Sequence, residues 1–193
     1  MENDRDLVLL DIARKAILEK FTGESYINKE YLLNKYPFLK ENRAVFVTLN
    51  KRKGNKTIPE LRGCIGSILP HRTLLEDLIH NAKAAAFDDP RFPPLGFDEF
   101  DDVSIEISIL SIPQEVYYKD IDELRSIIIP GKHGVILKKN WNRATFLPDV
   151  WMKLPDFELF FAHLCKKAGL PDNCLVMYPE IEIYTVEKIE EDK

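Results

Sequence analysis

The sequence carries no excess of basic residues: 27 lysines and arginines against 32 aspartates and glutamates leave a formal net charge of -5. A broad phosphate-binding face is thereby disfavoured, because nonspecific nucleic-acid affinity is mostly lysine and arginine displacing counterions. The first residues, Met1-Glu2-Asn3-Asp4-Arg5-Asp6, lack the basic start and apolar stretch of a leader, and no later apolar run is long enough to span a bilayer. A cytoplasmic protein with no membrane partner is the expectation. Cysteine is scarce, three in 193 residues at wide spacing, which fits a reducing compartment better than a disulfide framework. Cys64, Cys165 and Cys174 therefore read as thiols. No CxxC or HxxxH pair occurs, and His163 and Cys165, two apart on a predicted helix, point to nearly opposite sides, so no metal site is expected. Internal repeats, low-complexity tracts and linkers are also missing, and one domain over residues 1–193 is the reading.

What is present is a chain 45% hydrophobic, enough for a real core, with helix and strand periods interspersed. Leu9, Leu10, Ala13, Ala16, Ile17 and Phe21 recur at helical spacing behind the capping candidates Asn3 and Asp4, which predicts a helix over 5–21 ended by Gly23. A short helix over 29–35 stops before Pro37, a strand covers 44–49, and Lys51-Arg52-Lys53 with Lys56 reads as a solvated hairpin tip. Residues 61–69 mix apolar side chains with two glycines, as a bent or bulged strand does. Thr73 and Glu76 have capping-box spacing ahead of the stripe Leu74, Leu78, Ile79, Ala82 and Ala86, a helix that stops before Pro90. Val103, Ile105, Ile107 and Ile109 alternate with polar residues as a half-buried strand does. A helix over 120–127, a hairpin of 135–137 and 144–147 turning at Asn140-Trp141-Asn142, a helix whose face carries Phe157, Phe161, Leu164 and Cys165, and one last alternating strand over 181–189 complete the pattern. The connections are too varied for repeated βαβ units, so the fold class is α+β, a mainly antiparallel sheet with flanking helices.

Arg62-Gly63-Cys64-Ile65-Gly66-Ser67 combines a fixed cation, two glycines, a thiol and a hydroxyl shortly before a helix amino terminus. These are parts of an anion or carboxylate site: glycine lets backbone N–H groups approach a ligand and arginine offers a planar fork. The alternative is a bulged strand whose arginine ties down a neighbouring carboxylate. Cys64 is a candidate nucleophile with His71 or His133 as its base, or else a small buried hydrophobe. Asp88-Asp89-Pro90-Arg91-Phe92-Pro93-Pro94 holds charge and one aromatic on a stiff loop, suited either to a binding-site wall or to helix termination with a surface ion pair. Gly131-Lys132-His133-Gly134 serves a site or makes a turn.

Taken together, LRGCIG at 61–66, AFDDPRFPPL at 86–95, GKHGVIL at 131–137, ATFLPDVW at 144–151 and HLCKKAGL at 163–170 resemble the AMMECR domain family, of the AmmeMemoRadiSam system protein A type. The resemblance is ordered and covers nearly the whole chain. It implies an α+β domain with a larger and a smaller lobe, and LRGCIG as the hallmark segment. It implies no established activity, and the cofactor is left unknown. Relatives encoded beside or fused to a Memo-like protein and a radical-SAM protein make these the implied partners in a modification pathway. By position the family motifs fall on Arg62, Gly63, Cys64 and Gly66, and on Pro90, Arg91, Phe92, His133, Gly134, Thr145, Phe146 and Pro148. One departure is the hairpin tip, where relatives carry glycine and this chain has Asn140-Trp141-Asn142. The expectation is an enzyme or enzyme subunit holding a small anionic or carbonyl-bearing group. Its ligand-binding residues are Arg62, Gly63, Gly66, Arg91, Phe92 and Thr145, and its catalytic candidates are Cys64 and His133. A noncatalytic protein-interaction module acting through Phe92 and Trp141 is the rival reading, and nucleic-acid binding the third.

Overall fold

The computed structural model describes residues 2–51 and 60–191, so the basic stretch Arg52, Lys53 and Lys56 lies outside the described residues. The chain forms two compact units, residues 1–110 with 187–193 and residues 111–186. Both sheets are four-stranded and flanked by helices, an α+β fold, and every pairing whose register is defined is antiparallel.

In the first unit the helix α1 (Glu2–Thr22) starts earlier than its periodicity suggests, so Asn3 and Asp4 lie inside its first turn rather than ahead of it. Gly23 ends it at φ +74, a conformation that favours glycine. After α2 (Lys29–Lys35), capped by the Asn28 side chain, come the strands β1 (Val45–Lys51) and β2 (Glu60–Gly66), the helix α3 (Leu74–Phe87) and β3 (Val103–Leu110). Thr73 caps α3, its hydroxyl accepting from the Glu76 amide as the spacing predicts. With β8 (Val186–Glu190) the sheet order is β2-β1-β3-β8. Val45, Val47, Leu49, Ile105 and Ile107 are buried in one core with α1 and α3, whose Ala13, Ala16, Ala82 and Ala85 let the helices come close. Each large apolar side chain so buried contributes about 1.5–3 kcal/mol before entropy is counted. The other sheet face is polar: the register sets Phe46 opposite Ser108, Thr48 opposite Glu106 and Asn50 opposite Ser104.

The second unit contains β4 (Gln114–Val116), α4 (Ile121–Ile127), the hairpin β5 (Gly134–Lys139) and β6 (Asn142–Phe146), α5 (Phe157–Lys167) and β7 (Glu180–Tyr184), with sheet order β4-β7-β5-β6. Its core joins Val135, Leu137, Ile181, Phe160, Phe161 and Leu164. Two expectations are corrected here. The alternating run over 181–189 is not one strand: it breaks at Thr185, and its halves serve different sheets, because alternation reports a buried face and not which sheet buries it. Cys165 and Cys174 are not thiols but a disulfide. Gly169, at φ +76, reverses the chain after α5 and brings the Cys174 turn back onto the helix face that buries Cys165, with Cα atoms 5.8 Å apart.

Candidate functional site

The hallmark segment is the edge strand β2. Its register on β1 slips between Leu49, opposite Gly63, and Asn50, opposite Leu61, which leaves Arg62 as the extra residue of a bulge. The bulge turns Arg62 into the fold, where it is 9% exposed. Its Nε and Nη2 donate to the Glu99 carboxylate at 3.3 and 2.8 Å, its Nη1 to the Pro93 carbonyl at 3.1 Å, and Nη2 also reaches the Pro94 carbonyl at 3.4 Å. Every guanidinium nitrogen thus has a protein acceptor. Arg62 first, then Lys51 at 3.0 Å, hold the Glu99 carboxyl down at about 2.

The two hallmark glycines answer to packing. A Cβ on Gly63 would meet the Ala85 carbonyl oxygen at 2.1 Å, and one on Gly66 the Phe46 ring at 2.2 Å. Glycine is what lets β2 lie directly on α3 and lets Phe46 cross the strand. Ser67 is tied as well, its hydroxyl donating to the buried Asp77 at 2.7 Å. Asp77 and Asn81 in turn take the Val45 N–H and supply a donor to its carbonyl, both at 2.9 Å.

Cys64 sits where the edge of the sheet is open, and a side-chain pair closes it. Its N–H donates to Asp89 Oδ2 at 2.9 Å, and its carbonyl accepts from Arg91 Nη2 at 3.1 Å. Asp89 and Arg91 therefore stand where a fifth strand would present its own C=O and N–H. They are joined by a two-point ion pair, Nη2 to Oδ2 at 2.7 Å and Nε to Oδ1 at 3.0 Å. That guanidinium, helped by the amides of Cys64 and Arg91, keeps the buried Asp89 carboxyl far below the usual carboxylate range. Arg91 itself is raised, by Asp89 first, with the nearby Cys64 sulfur adding to the effect. The Arg91 side chain is 54% exposed, and among the described residues its Nη1 has no oxygen acceptor. Phe92 is half-buried between the two cations, 6.0 Å from Arg62 and 5.5 Å from Arg91. Cys64 is partly exposed, its sulfur accepts from the Thr48 hydroxyl at 3.3 Å, and Thr48 lies opposite Glu106 on β3. Cys64, Thr48 and Glu106 thus form one row on the polar face.

His133 and Thr145 belong to the second unit, where each has local partners. His133 Nδ1 accepts from the Ile129 N–H at 3.2 Å, which assigns the ring proton to Nε2, and burial followed by Lys132 lowers its pKa, so the ring is neutral near pH 7. Its carbonyl accepts from Trp151 Nε1 at 2.9 Å. Thr145 donates to the Val135 carbonyl at 2.9 Å and meets the Tyr184 hydroxyl at 3.1 Å, while burial pushes Tyr184 up to about 12. The Tyr184 ring also explains Gly134, since a Cβ there would lie 2.3 Å from it.

The site thus brings together Arg62, Gly63, Cys64, Gly66, Arg91 and Phe92 from segments that sequence spacing leaves apart. Sequence reasoning missed Thr48, Glu99 and Glu106 as neighbours of these residues. Glu99 follows the PRFPP loop within an acidic stretch, and nothing in its spacing marks it as the partner of Arg62. Asp77 and Asn81 did leave a signal, two polar residues four apart beside the apolar stripe of α3. Among the described residues no group of three or more His, Cys, Asp or Glu side chains is arranged to hold a metal ion, and no helix is long and apolar enough to cross a membrane.

The chain is similar to a protein of Methanothermobacter thermautotrophicus, 38% identical over 186 residues that cover 95% of this chain and 92% of the relative. A Thermococcus gammatolerans protein is 37% identical over 187 residues, covering 95% and 89%. The crystal structure of an uncharacterised protein from Pyrococcus horikoshii superposes with a TM-score of 0.78 at 35% identity, covering 96% of this chain and 90% of that one. The AMMECR1 family model matches residues 10–189, and with relatives this similar along nearly its whole length, the chain belongs to the AMMECR1 family.

Proposed function

We infer that the Cys64 edge binds a small anionic or carbonyl-bearing group, with Arg91 as its cationic donor and Cys64 as the reacting side chain. One observation carries this reading: the Asp89–Arg91 pair fixes both backbone groups of Cys64 and, among the described residues, still leaves Nη1 of Arg91 without an oxygen acceptor beside the partly exposed Cys64. Arg62, which the bare motif favours, has its donors committed to Glu99 and two carbonyls and serves as the support. With a carbonyl ligand the sulfur–carbon bond forms as the π pair moves onto the oxygen beside Arg91, and the thiol proton leaves to water. The test is a thermal-shift screen of small carboxylates, phosphates and aldehydes on wild type and Arg91→Ala. A ligand at a hundred times its dissociation constant stabilises by about 2.7 kcal/mol. A shift present in wild type and lost in the variant supports the reading, and a shift retained by Arg91→Ala removes Arg91 from it. Cys64→Ala keeps binding but ends turnover if the thiol is the nucleophile.

The second reading, a noncatalytic module for a Memo-like or radical-SAM partner, is favoured by Trp141, which is 100% exposed at the hairpin tip. It requires Trp141→Ala to lose a purified partner that Cys64→Ala retains.

A further inference from the structure

A feature that neither reading uses lies wholly within the second unit. A cavity of about 500 Å³ opens between α4, α5 and the single turn Cys174–Met177. Its floor and walls are apolar: Phe157 and Phe161 of α5, Ile121 of α4, and Leu175 and Val176 of the turn. The two rings lie 4.6 Å apart, and Val176 on the wall is 60% exposed. The Cys165–Cys174 disulfide anchors the turn to α5, so this wall is held in place and the groove is preformed.

The rim carries charge of mainly one sign. Asp122, Glu158 and Asp172 line it against a single lining cation, Arg125, and the outlying Lys166 meets Asp172 only at 3.6 Å with both side chains well exposed. Arg125 shows how the groove receives a cation, because its guanidinium lies 4.7 Å from the centre of the Phe157 ring while pairing with Glu158. An occupant that matches the groove brings apolar side chains for the aromatic floor and positive charge for the carboxylate rim. A free small cation would leave the exposed Val176 wall wet, and an anionic lipid surface would be repelled by the rim.

We propose that the groove between α4, α5 and the Cys174–Met177 turn docks a short amphipathic segment of a partner protein, apolar on one face and flanked by lysine or arginine. Its location and occupant are independent of the Cys64 reading.

The test pans a library of random peptides of about twelve residues on the intact, disulfide-bonded protein. The enriched sequences should carry apolar residues at helical spacing beside Lys or Arg. A fluorescein-labelled member should bind about tenfold more weakly to Val176→Asp, by anisotropy, and about threefold more weakly to Asp122→Lys. Because Val176 is exposed, its variant should match wild type in far-UV circular dichroism and thermal unfolding. Recovery of no sequence above the naive library overturns the proposal, as do acidic-flanked sequences or peptides that bind Val176→Asp as tightly as wild type. Concentration-dependent self-association abolished by Val176→Asp would give the groove to a second copy of this chain and overturn it equally.

Discussion

Arg62 and Arg91 both pair with a carboxylate through two nitrogens, yet one is 9% exposed and the other has a side chain 54% exposed. The difference lies in which partner is buried. Around Arg62 the arginine is the buried member, and Glu99, at 26% side-chain exposure, is shared with Lys51. Around Arg91 it is the carboxylate, with Asp89 at 2% side-chain exposure, and the cation faces outward. A buried cation with all its nitrogens bonded holds loops together, whereas a cation anchored by a buried carboxylate can be rigid and still meet a ligand. The hallmark motif names the first arginine, whereas the exposed cation beside Cys64 is the second.

The contrast is broken most severely by removing the buried cation. Arg62→Ala leaves Glu99 with Lys51 and the Gly96 amide, and frees the Pro93 and Pro94 carbonyls, at a cost of about 3 kcal/mol in urea unfolding. Acid should expose the same contribution in wild type. The folded Glu99 pKa lies below its ordinary 4.5, so its stabilisation is fully present above that value and is lost as pH falls towards about 2. Unfolding free energy measured from pH 5 down to pH 2 should therefore drop less steeply in Arg62→Ala. Next in size is Gly63→Ala, which presses a methyl group on the backbone of α3 and costs about 2 kcal/mol. Arg91→Lys should be the mildest, about 1 kcal/mol, because it keeps a cation beside the buried Asp89, whose carboxylate still takes the amides of Cys64 and residue 91 at 2.9 and 3.0 Å. A larger loss for Arg91→Lys than for Arg62→Ala would reverse the assignment of roles.

Much of this architecture is legible in the sequence, because periodicity and caps are local. Thr73 with Glu76, Asp120 with Glu123 and the alternation from Val103 to Ile109 each fix an element from residues a few positions apart. The bulge is legible too, since two glycines in a strand flag it. What the bulge does is not, for Arg62 finds Glu99 at a separation of 37 residues and Cys64 finds Asp89 at 25, and neither spacing has a period. The disulfide fails to show for the same reason: only the turn at Gly169 reveals that Cys165 and Cys174 meet. Motif glycines mislead in their own way. They read as room for a ligand, and at Gly63, Gly66 and Gly134 the room is filled by the protein itself.

With Cys165 and Cys174 bonded, Cys64 is the sole free thiol, so its alkylation reports on one atom. The decisive measurement is the ratio of its rates with iodoacetate and with iodoacetamide, an anionic and a neutral reagent of similar size. If Arg91 is the cation that meets ligands at this edge, the ratio should fall about threefold or more in Arg91→Ala and stay at the wild-type value in the equally uncharged Arg62→Gln. An unchanged ratio in Arg91→Ala, or an equal fall in both variants, would contradict the division of labour between the two arginines.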